Sequence, residues 1–173
     1  MNKTKLVLIL ILILFGSSIT AAQSATPVAA VQSFYAFDRA HSQTFNRQNV
    51  NARKKWLSPE LSRLFDNELR RQDALLKKNP TDKPYFGDGF PFQPLQEACD
   101  GAGKHRSPVV KQDFRKGNRA AVTVTFSYPK SCKAADPVIY TIGLVRKGGG
   151  WLIDDLNTGE DHSLKEVLSS RDY

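Results

Sequence analysis

The sequence predicts an α+β fold in which N-terminal helices pack on a curved antiparallel β-sheet and a short helix ends the chain. Three observations lead to this prediction: apolar residues at helical spacing in the first half, apolar and polar residues in alternation from residue 109 onward, and a capping motif near the C-terminus. Because the helical segments precede the strands, an α+β arrangement is favoured over an alternating, parallel α/β sheet.

The N-terminus has the three-part layout of a secretory signal peptide. Lys3 and Lys5 precede an unbroken apolar run, and small residues lead to Ala22, where we predict cleavage. The run, Leu6–Phe15, is shorter than the ~20 apolar residues of a membrane-spanning helix. We therefore expect an exported protein, periplasmic or secreted, with no transmembrane segment after cleavage and with one domain over residues 23–173.

The first helix is predicted to begin at Thr26, which can act as its N-cap, with Pro27 in the first turn. Apolar residues then recur at helical spacing as far as Tyr35, which predicts that one aromatic face is buried. A polar stretch leads from this helix to Trp56.

Ser58-Pro59 opens the second predicted helix. Leucines and one phenylalanine form an apolar stripe from Leu61 to Leu76, and charges of both signs occupy the opposite side. A mixed set of charges is typical of a solvated helix face, and we favour this over a dedicated polyanion site.

Residues 79–108 contain five of the nine prolines and are predicted to form a long irregular connection. Four aromatic residues lie between positions 85 and 92, whereas disordered segments lack such apolar side chains. We therefore expect a lid-like loop that packs over the core and is fixed at Cys99.

The period changes to two beyond this loop, which predicts an antiparallel meander. The predicted strands are residues 109–114, 122–128, 138–144 and 151–153. The predicted turns are residues 116–118 and 148–150. Ser163 and Glu166 have the spacing of a capping box, so a short terminal helix is predicted to begin there.

The two cysteines, Cys99 and Cys132, both follow the predicted signal peptide. In an oxidising compartment an even pair is expected to form a disulfide. Closing this loop would stabilise the fold by about 3–4 kcal/mol in the loop-entropy description. Neither cysteine belongs to a CxxC motif, so redox catalysis is not expected.

The sequence contains no signature of a catalytic, cofactor or metal site. There is no phosphate-binding glycine loop and no GxSxG motif, and His41, His105 and His162 lack further ligands at metal-like spacing. We therefore predict no cofactor, no metal and no catalytic residue.

Removal of Lys3 and Lys5 with the signal lowers the formal charge from +8 to +6. In an exported protein this favours an anionic lipid surface, envelope polysaccharide or an acidic protein as partner, rather than nucleic acid. A solvated surface with no specific partner is the alternative.

The most suggestive local feature is the segment WLIDDL at residues 151–156. Strand alternation assigns its side chains to two faces, with Trp151, Ile153 and Asp155 on one and Leu152, Asp154 and Leu156 on the other. Either face then combines a carboxylate with large apolar groups, which is costly unless the carboxylate is bonded. We expect this acid to anchor a loop or helix terminus, or else to lie in a pocket, and a bulge would alter the assignment.

The ending WLIDDLNTG followed by SLKEVL, on a small basic exported chain with this order of elements, resembles a family of bacterial exported proteins and lipoproteins catalogued as a domain of unknown function. That family is similar to the nuclear-transport-factor-2-like or cystatin-like fold. Thr158 departs from the family pattern, which often has an aromatic residue there, and the lipid-bearing cysteine of some members is missing. The resemblance implies a fold and a location, and no activity.

We predict a non-catalytic exported domain that binds a ligand or protein partner in the cell envelope. The expected site is a cleft between the sheet, the first helix and the aromatic segment, and its candidate residues are Tyr35, Phe90, Tyr128, Tyr140, Trp151 and Asp155. Core packing is the alternative for each aromatic residue among them.

Two other functions are open at this point. A small acid-base enzyme would use Asp155 as base with Tyr128 or Tyr140 assisting. An inhibitor or immunity protein would block its target with residues 84–94.

Overall fold

The computed structural model describes residues 26–94, 107–128, 136–159 and 161–170. Helices come first, strands follow and a short helix comes last, which confirms the predicted α+β class. The helices are α1 (Pro27–Ala40), α2 (Arg47–Arg53), α3 (Pro59–Lys78) and α4 (Leu164–Ser170), with a 3₁₀ turn at Lys54–Trp56. The strands are β1 (Val109–Lys116), β2 (Arg119–Phe126), β3 (Val138–Lys147) and β4 (Gly150–Asn157).

Several predictions concern residues outside these ranges: the signal peptide and its cleavage after Ala22, the Cys99–Cys132 disulfide, and His105. Within the described ranges, no helix is both long enough and apolar enough to cross a membrane.

The four strands form one curved, open sheet in the order β1-β2-β3-β4, and each neighbouring pair is antiparallel, as the meander prediction requires. Gly117 joins β1 to β2 with a φ of 58°, and Gly148 and Gly149 join β3 to β4 with φ of 60° and 87°. Tight hairpin turns need positive φ at these positions, and glycine adopts it without steric cost. Both turns lie at the same end of the sheet, which we call the turn end.

Helix α1 begins as predicted, because the Thr26 hydroxyl accepts a hydrogen bond from the Ala29 N–H at 3.1 Å and Pro27 occupies the first turn. The face that carries Val31 and Phe34 is fully buried, and α1 packs against the sheet.

The direction of α1 follows from two contacts near its C-terminus. Arg39 donates a hydrogen bond to the Ser107 hydroxyl, just ahead of β1, and the Tyr35 ring lies 5.5 Å from that of Phe126 at the end of β2. The C-terminus of α1 therefore lies at the end of the sheet opposite the turns, which we call the open end. Its N-terminus points toward the turn end.

The polar stretch between the two predicted helices contains a helix that the sequence pattern does not predict. The Asn46 side chain caps α2 by accepting a hydrogen bond from the Asn49 N–H at 2.9 Å. The buried residues of α2 are Val50 and Arg53. With a single buried apolar side chain, α2 has no apolar stripe for a periodicity search to detect.

Helix α3 confirms the second predicted helix. The Ser58 hydroxyl accepts a hydrogen bond from the Leu61 N–H at 3.1 Å, and the predicted stripe is buried as far as Leu69. The Ser58 N–H also donates to the Ile153 carbonyl oxygen at 2.7 Å, so the segment ahead of α3 covers part of the outer edge of β4.

The alternation predicted along β4 is wrong beyond Ile153, because the strand contains a β-bulge. Ile153 and Asp155 pair with adjacent residues of β3, so Asp154 is the extra residue. This insertion brings Leu156 onto the buried face with Trp151 and turns Asp155 away from that face.

Helix α4 begins with the predicted capping box. The Ser163 N–H donates to the Glu166 carboxylate at 2.7 Å, and the Glu166 N–H donates to the Ser163 hydroxyl at 3.4 Å. Leu164 and Leu168 insert into the same hydrophobic core as the faces of α1, α3 and the sheet.

Candidate functional site

A pocket of about 330 Å³ lies at the open end of the sheet, between β3, β4, helix α4 and residues 84–94, which we call the aromatic loop. Apolar and aromatic side chains form most of its wall: Tyr85, Phe86, Phe90, Pro91, Tyr140, Leu156, Leu164 and Val167. The polar side chains in the wall are Asp88, Gln93, Thr158 and His162. This size, with apolar walls and a few polar groups, is typical of small-molecule sites.

The aromatic loop packs over the core, as the sequence predicts. Phe86, Phe90 and Phe92 are buried, and the rings of Phe86 and Phe90 lie 4.6 Å and 5.1 Å from that of Phe45. The predicted fixation at Cys99 lies outside the described residues. Because the loop contributes three buried rings, its deletion would disturb the core as well as any surface it presents.

Gly89 allows the loop to approach the connection between α1 and α2 closely. Its φ is 124°, and an added Cβ would lie 3.0 Å from the Gln43 carbonyl oxygen. The next residue, Phe90, donates its N–H to that same oxygen at 3.1 Å. A side chain at position 89 would therefore force the loop away from this contact.

A buried ion pair between α1 and α2 fixes the aromatic loop to the domain. The side chains of Asp38 and Arg53 are both 0 % exposed, and Arg53 Nε donates to Asp38 Oδ1 at 2.7 Å. The Gln93 amide donates to the other carboxylate oxygen, and the Phe90 ring centre lies 4.1 Å from the guanidinium carbon. Two backbone carbonyl oxygens accept one hydrogen bond from each terminal guanidinium nitrogen. The pair is thus satisfied, and it ties the loop to both α1 and α2.

The sequence analysis missed this ion pair, although the spacing contains a signal for half of it. Asp38 follows Val31 by seven residues and Phe34 by four, so it lies on the apolar face of α1. A charged residue on a buried face needs a partner. Nothing in the local sequence identifies Arg53 as that partner, because it lies on a helix that the pattern does not predict.

Of the six predicted site residues, the structure brings Phe90 and Tyr140 together in the pocket wall. Tyr35 and Trp151 are core residues, 2 % and 3 % exposed. Tyr128 follows the end of β2, is half-buried and does not line the pocket. The pocket lies against α4, whereas the sequence analysis expected a cleft against the first helix.

Tyr35 is fixed in the core between α1 and the sheet. Burial, and after it the negative charges of Asp38 and Tyr140, raise the pKa of Tyr35 well above its usual value. Its hydroxyl therefore stays protonated at neutral pH.

Asp155 anchors helix α4 and does not line the pocket. Its Oδ1 accepts hydrogen bonds from the N–H groups of Leu156 at 2.8 Å and Lys165 at 3.0 Å. The Lys165 ammonium in turn bonds Asp154 at 3.2 Å and Glu60 at 2.7 Å. This is the structural role expected for an acid in WLIDDL, and it fixes the helix that forms one wall of the pocket.

These contacts also determine the ionisation of Lys165. Partial burial lowers its pKa, but the hydrogen bonds from its ammonium to Glu60 and Asp154 outweigh that effect. The net result is a pKa raised above the usual value, so the lysine keeps its charge at neutral and mildly alkaline pH.

Sequence reasoning missed the contribution of α4 and the segment before it. Thr158 and His162 stand at the pocket, as do Leu164 and Val167 on the helix. Their sequence gives only a capping box and an apolar edge, and neither indicates a cavity. Among the described residues, no group of three or more His, Cys, Asp or Glu could hold a metal.

Comparison with protein-family models, with curated proteins and with solved structures gives no significant match to this chain.

Proposed function

We propose that this chain is a non-catalytic exported domain that binds a small, largely apolar ligand in the pocket at the open end of the sheet. The observation that supports this proposal is the pocket itself, an open cavity of about 330 Å³ in which most of the lining residues are aromatic or aliphatic. An exported domain of this kind would capture its ligand in the cell envelope.

Contacts within the chain hold the walls of the pocket in place. The buried pair of Asp38 and Arg53 positions Gln93 and Phe90 of the aromatic loop, and Asp155 positions α4. A site whose walls are already ordered binds its ligand without the entropic cost of ordering them. A small contact area between the ligand and the wall is then enough for measurable affinity.

The chemistry of the wall indicates the class of ligand. Tyr85, Phe86, Phe90 and Tyr140 supply aromatic surface, which suits a flat or hydrocarbon-rich body. Thr158 and His162 stand at the same pocket and offer hydrogen bonds to one polar group of that ligand. The Asp88 carboxylate is engaged by Lys83 Nζ at 2.7 Å.

The same contacts favour binding over acid-base catalysis. The acid suggested for catalysis, Asp155, accepts two backbone N–H bonds and lies outside the pocket wall. Tyr140 lines the pocket and Asp155 does not, so the pocket does not bring the suggested catalytic pair together.

A curved sheet covered by helices on one face, with a pocket at one end, suits the nuclear-transport-factor-2-like or cystatin-like resemblance. We propose this relationship on the order of elements, together with membership of the exported family that the ending WLIDDLNTG suggests.

Binding of N-phenylnaphthylamine, an apolar aromatic probe that fluoresces in apolar sites, tests the proposal. We expect saturable binding to the wild-type protein. Val167→Phe, which fills the pocket from α4, should weaken binding by about tenfold or more, equivalent to 1.4 kcal/mol.

Val145→Phe is the matched control, because Val145 is also half-buried but lies on β3 near the turn end. It should bind the probe like the wild type, and both variants should unfold at the wild-type urea midpoint. Absence of saturable binding, or equal binding by the two variants, would refute the pocket as the site.

A further inference from the structure

The turn end of the sheet carries five exposed cations: Arg115, Lys116, Arg119, Arg146 and Lys147. We call this set, together with Phe114, the basic hairpin end. None of the five forms an ion pair with another described residue. No Asp or Glu occurs in residues 114–122 or 143–153, which form this part of the sheet.

The strand register places Lys116 and Arg119 together on the outer face of the sheet. Arg115 and Arg146 lie at the same end of the sheet but on its other face. Lys116 lies directly opposite Arg119 in the pairing of β1 with β2. The Arg146 N–H donates to the Asn118 carbonyl oxygen at 2.7 Å, so the two hairpin turns lie side by side. Like charges directly opposite in a sheet are destabilising, and a bound anionic surface would relieve that repulsion.

An exposed aromatic side chain accompanies the cations. Phe114 is 53 % exposed, and its neighbours across the sheet are Ala121 and then Gly143, which are too small to cover the ring. Lys116 follows it by two residues on the same face of β1. An aromatic ring next to basic side chains suits the interface of an anionic membrane, where the ring enters the headgroup layer and the cations meet the lipid charges.

We propose that the basic hairpin end docks on the anionic headgroups of a phospholipid membrane. The pocket at the open end stays accessible in this orientation. The docking surface and the pocket share no residue, so the two proposals can be tested independently of each other.

Sedimentation with phosphatidylcholine vesicles, with and without phosphatidylglycerol, tests the proposal on the oxidised chain lacking residues 1–22. We expect binding to vesicles that contain phosphatidylglycerol and little to pure phosphatidylcholine. The triple variant Lys116→Gln, Arg119→Gln, Lys147→Gln should lose at least about tenfold in partitioning, since each basic residue near the surface contributes to attraction.

The matched control removes the same charge from helix α3, by Arg63→Gln, Lys77→Gln and Lys78→Gln, all of them exposed. It should retain partitioning within about threefold, because these residues belong to helix α3 and not to the basic hairpin end. Phe114→Ser should leave binding at low salt but reduce it severalfold at moderate salt, where the apolar contact matters more.

Two outcomes would overturn the proposal. One is absence of binding to the phosphatidylglycerol vesicles. In that case, binding to dextran sulfate that the hairpin triple variant loses would assign the surface to an anionic polysaccharide. The other is equal loss in the two triple variants, which would indicate attraction to net charge alone.

Discussion

The two ends of the sheet are built in different ways. At the open end, the pocket is held by contacts between residues far apart in sequence, such as Gln93 with Asp38 and Lys165 with Glu60. At the turn end, neighbouring strands are joined by short glycine turns, and the arrangement follows from local register. The structure of the open end therefore depends on tertiary contacts, and the structure of the turn end depends on local backbone geometry.

The two ends should therefore respond differently to mutation. Loss of one buried partner at the open end leaves an unpaired charge and releases the aromatic loop, so both stability and binding should suffer. A change at the turn end should cost local strain and leave the pocket intact.

Asp38→Ala should have the largest effect, because it leaves the fully buried Arg53 guanidinium without its carboxylate. We expect a loss of about 3–5 kcal/mol in the free energy of unfolding, measured by urea denaturation. Binding of N-phenylnaphthylamine should weaken as well, since Gln93 and Phe90 lose their support.

Asp66→Ala is the control for Asp38→Ala. Asp66 pairs with Lys54 at 2.7 Å, but both side chains are about one third exposed, at 32 % and 33 %. We expect a loss below about 1 kcal/mol and unchanged probe binding. Similar losses in the two variants would mean that the buried pair does not organise the open end.

Gly117→Ala and Gly159→Ala compare the two ends directly. Both glycines have positive φ, 58° and 93°, and an added Cβ would meet no atom within 4 Å at either site. Each substitution should therefore cost only backbone strain, about 1–2 kcal/mol. Gly159→Ala should also weaken probe binding, because Gly159 follows Thr158 at the pocket, whereas Gly117→Ala should not.

If both alanine variants weakened probe binding equally, the two ends would be coupled and the contrast between them would be wrong. Urea midpoints and probe titrations on the same samples separate strain from loss of the pocket.

Local rules explain why most of the fold could be predicted from the sequence. The caps at Thr26 and Ser58, the capping box at Ser163 and the alternation in β2 each depend on residues a few positions apart. The bulge at Asp154 could not be predicted, because an inserted residue follows from the pairing partner and not from the strand itself.

The pocket was also harder to predict, because its walls depend on contacts between segments that are far apart in the sequence. Phe90 and Tyr140 both line the pocket, but the wall formed by α4 depends on how Asp155 docks that helix. Trp151 and Tyr35 have the same aromatic character as the pocket residues, and only their packing shows that they belong to the core. Composition does not separate an aromatic ring in a wall from one in a core.

Lys165→Met should have the smallest effect on stability. The pH dependence of this effect shows whether the charge of Lys165 causes it. The pKa of Lys165 is raised in the folded state, so the stability from its bonds to Glu60 and Asp154 is fully present below the pKa of an unfolded lysine. It is lost as pH rises through the folded-state pKa. Urea unfolding should therefore show a wild-type advantage below about 1 kcal/mol at neutral pH, which shrinks above about pH 10.4. The raised pKa of Tyr35 lowers stability at alkaline pH equally in both proteins, so it cancels in their difference. A difference that stayed constant across this range would show that Lys165 supports the pocket end by packing its methylene groups and not by its charge.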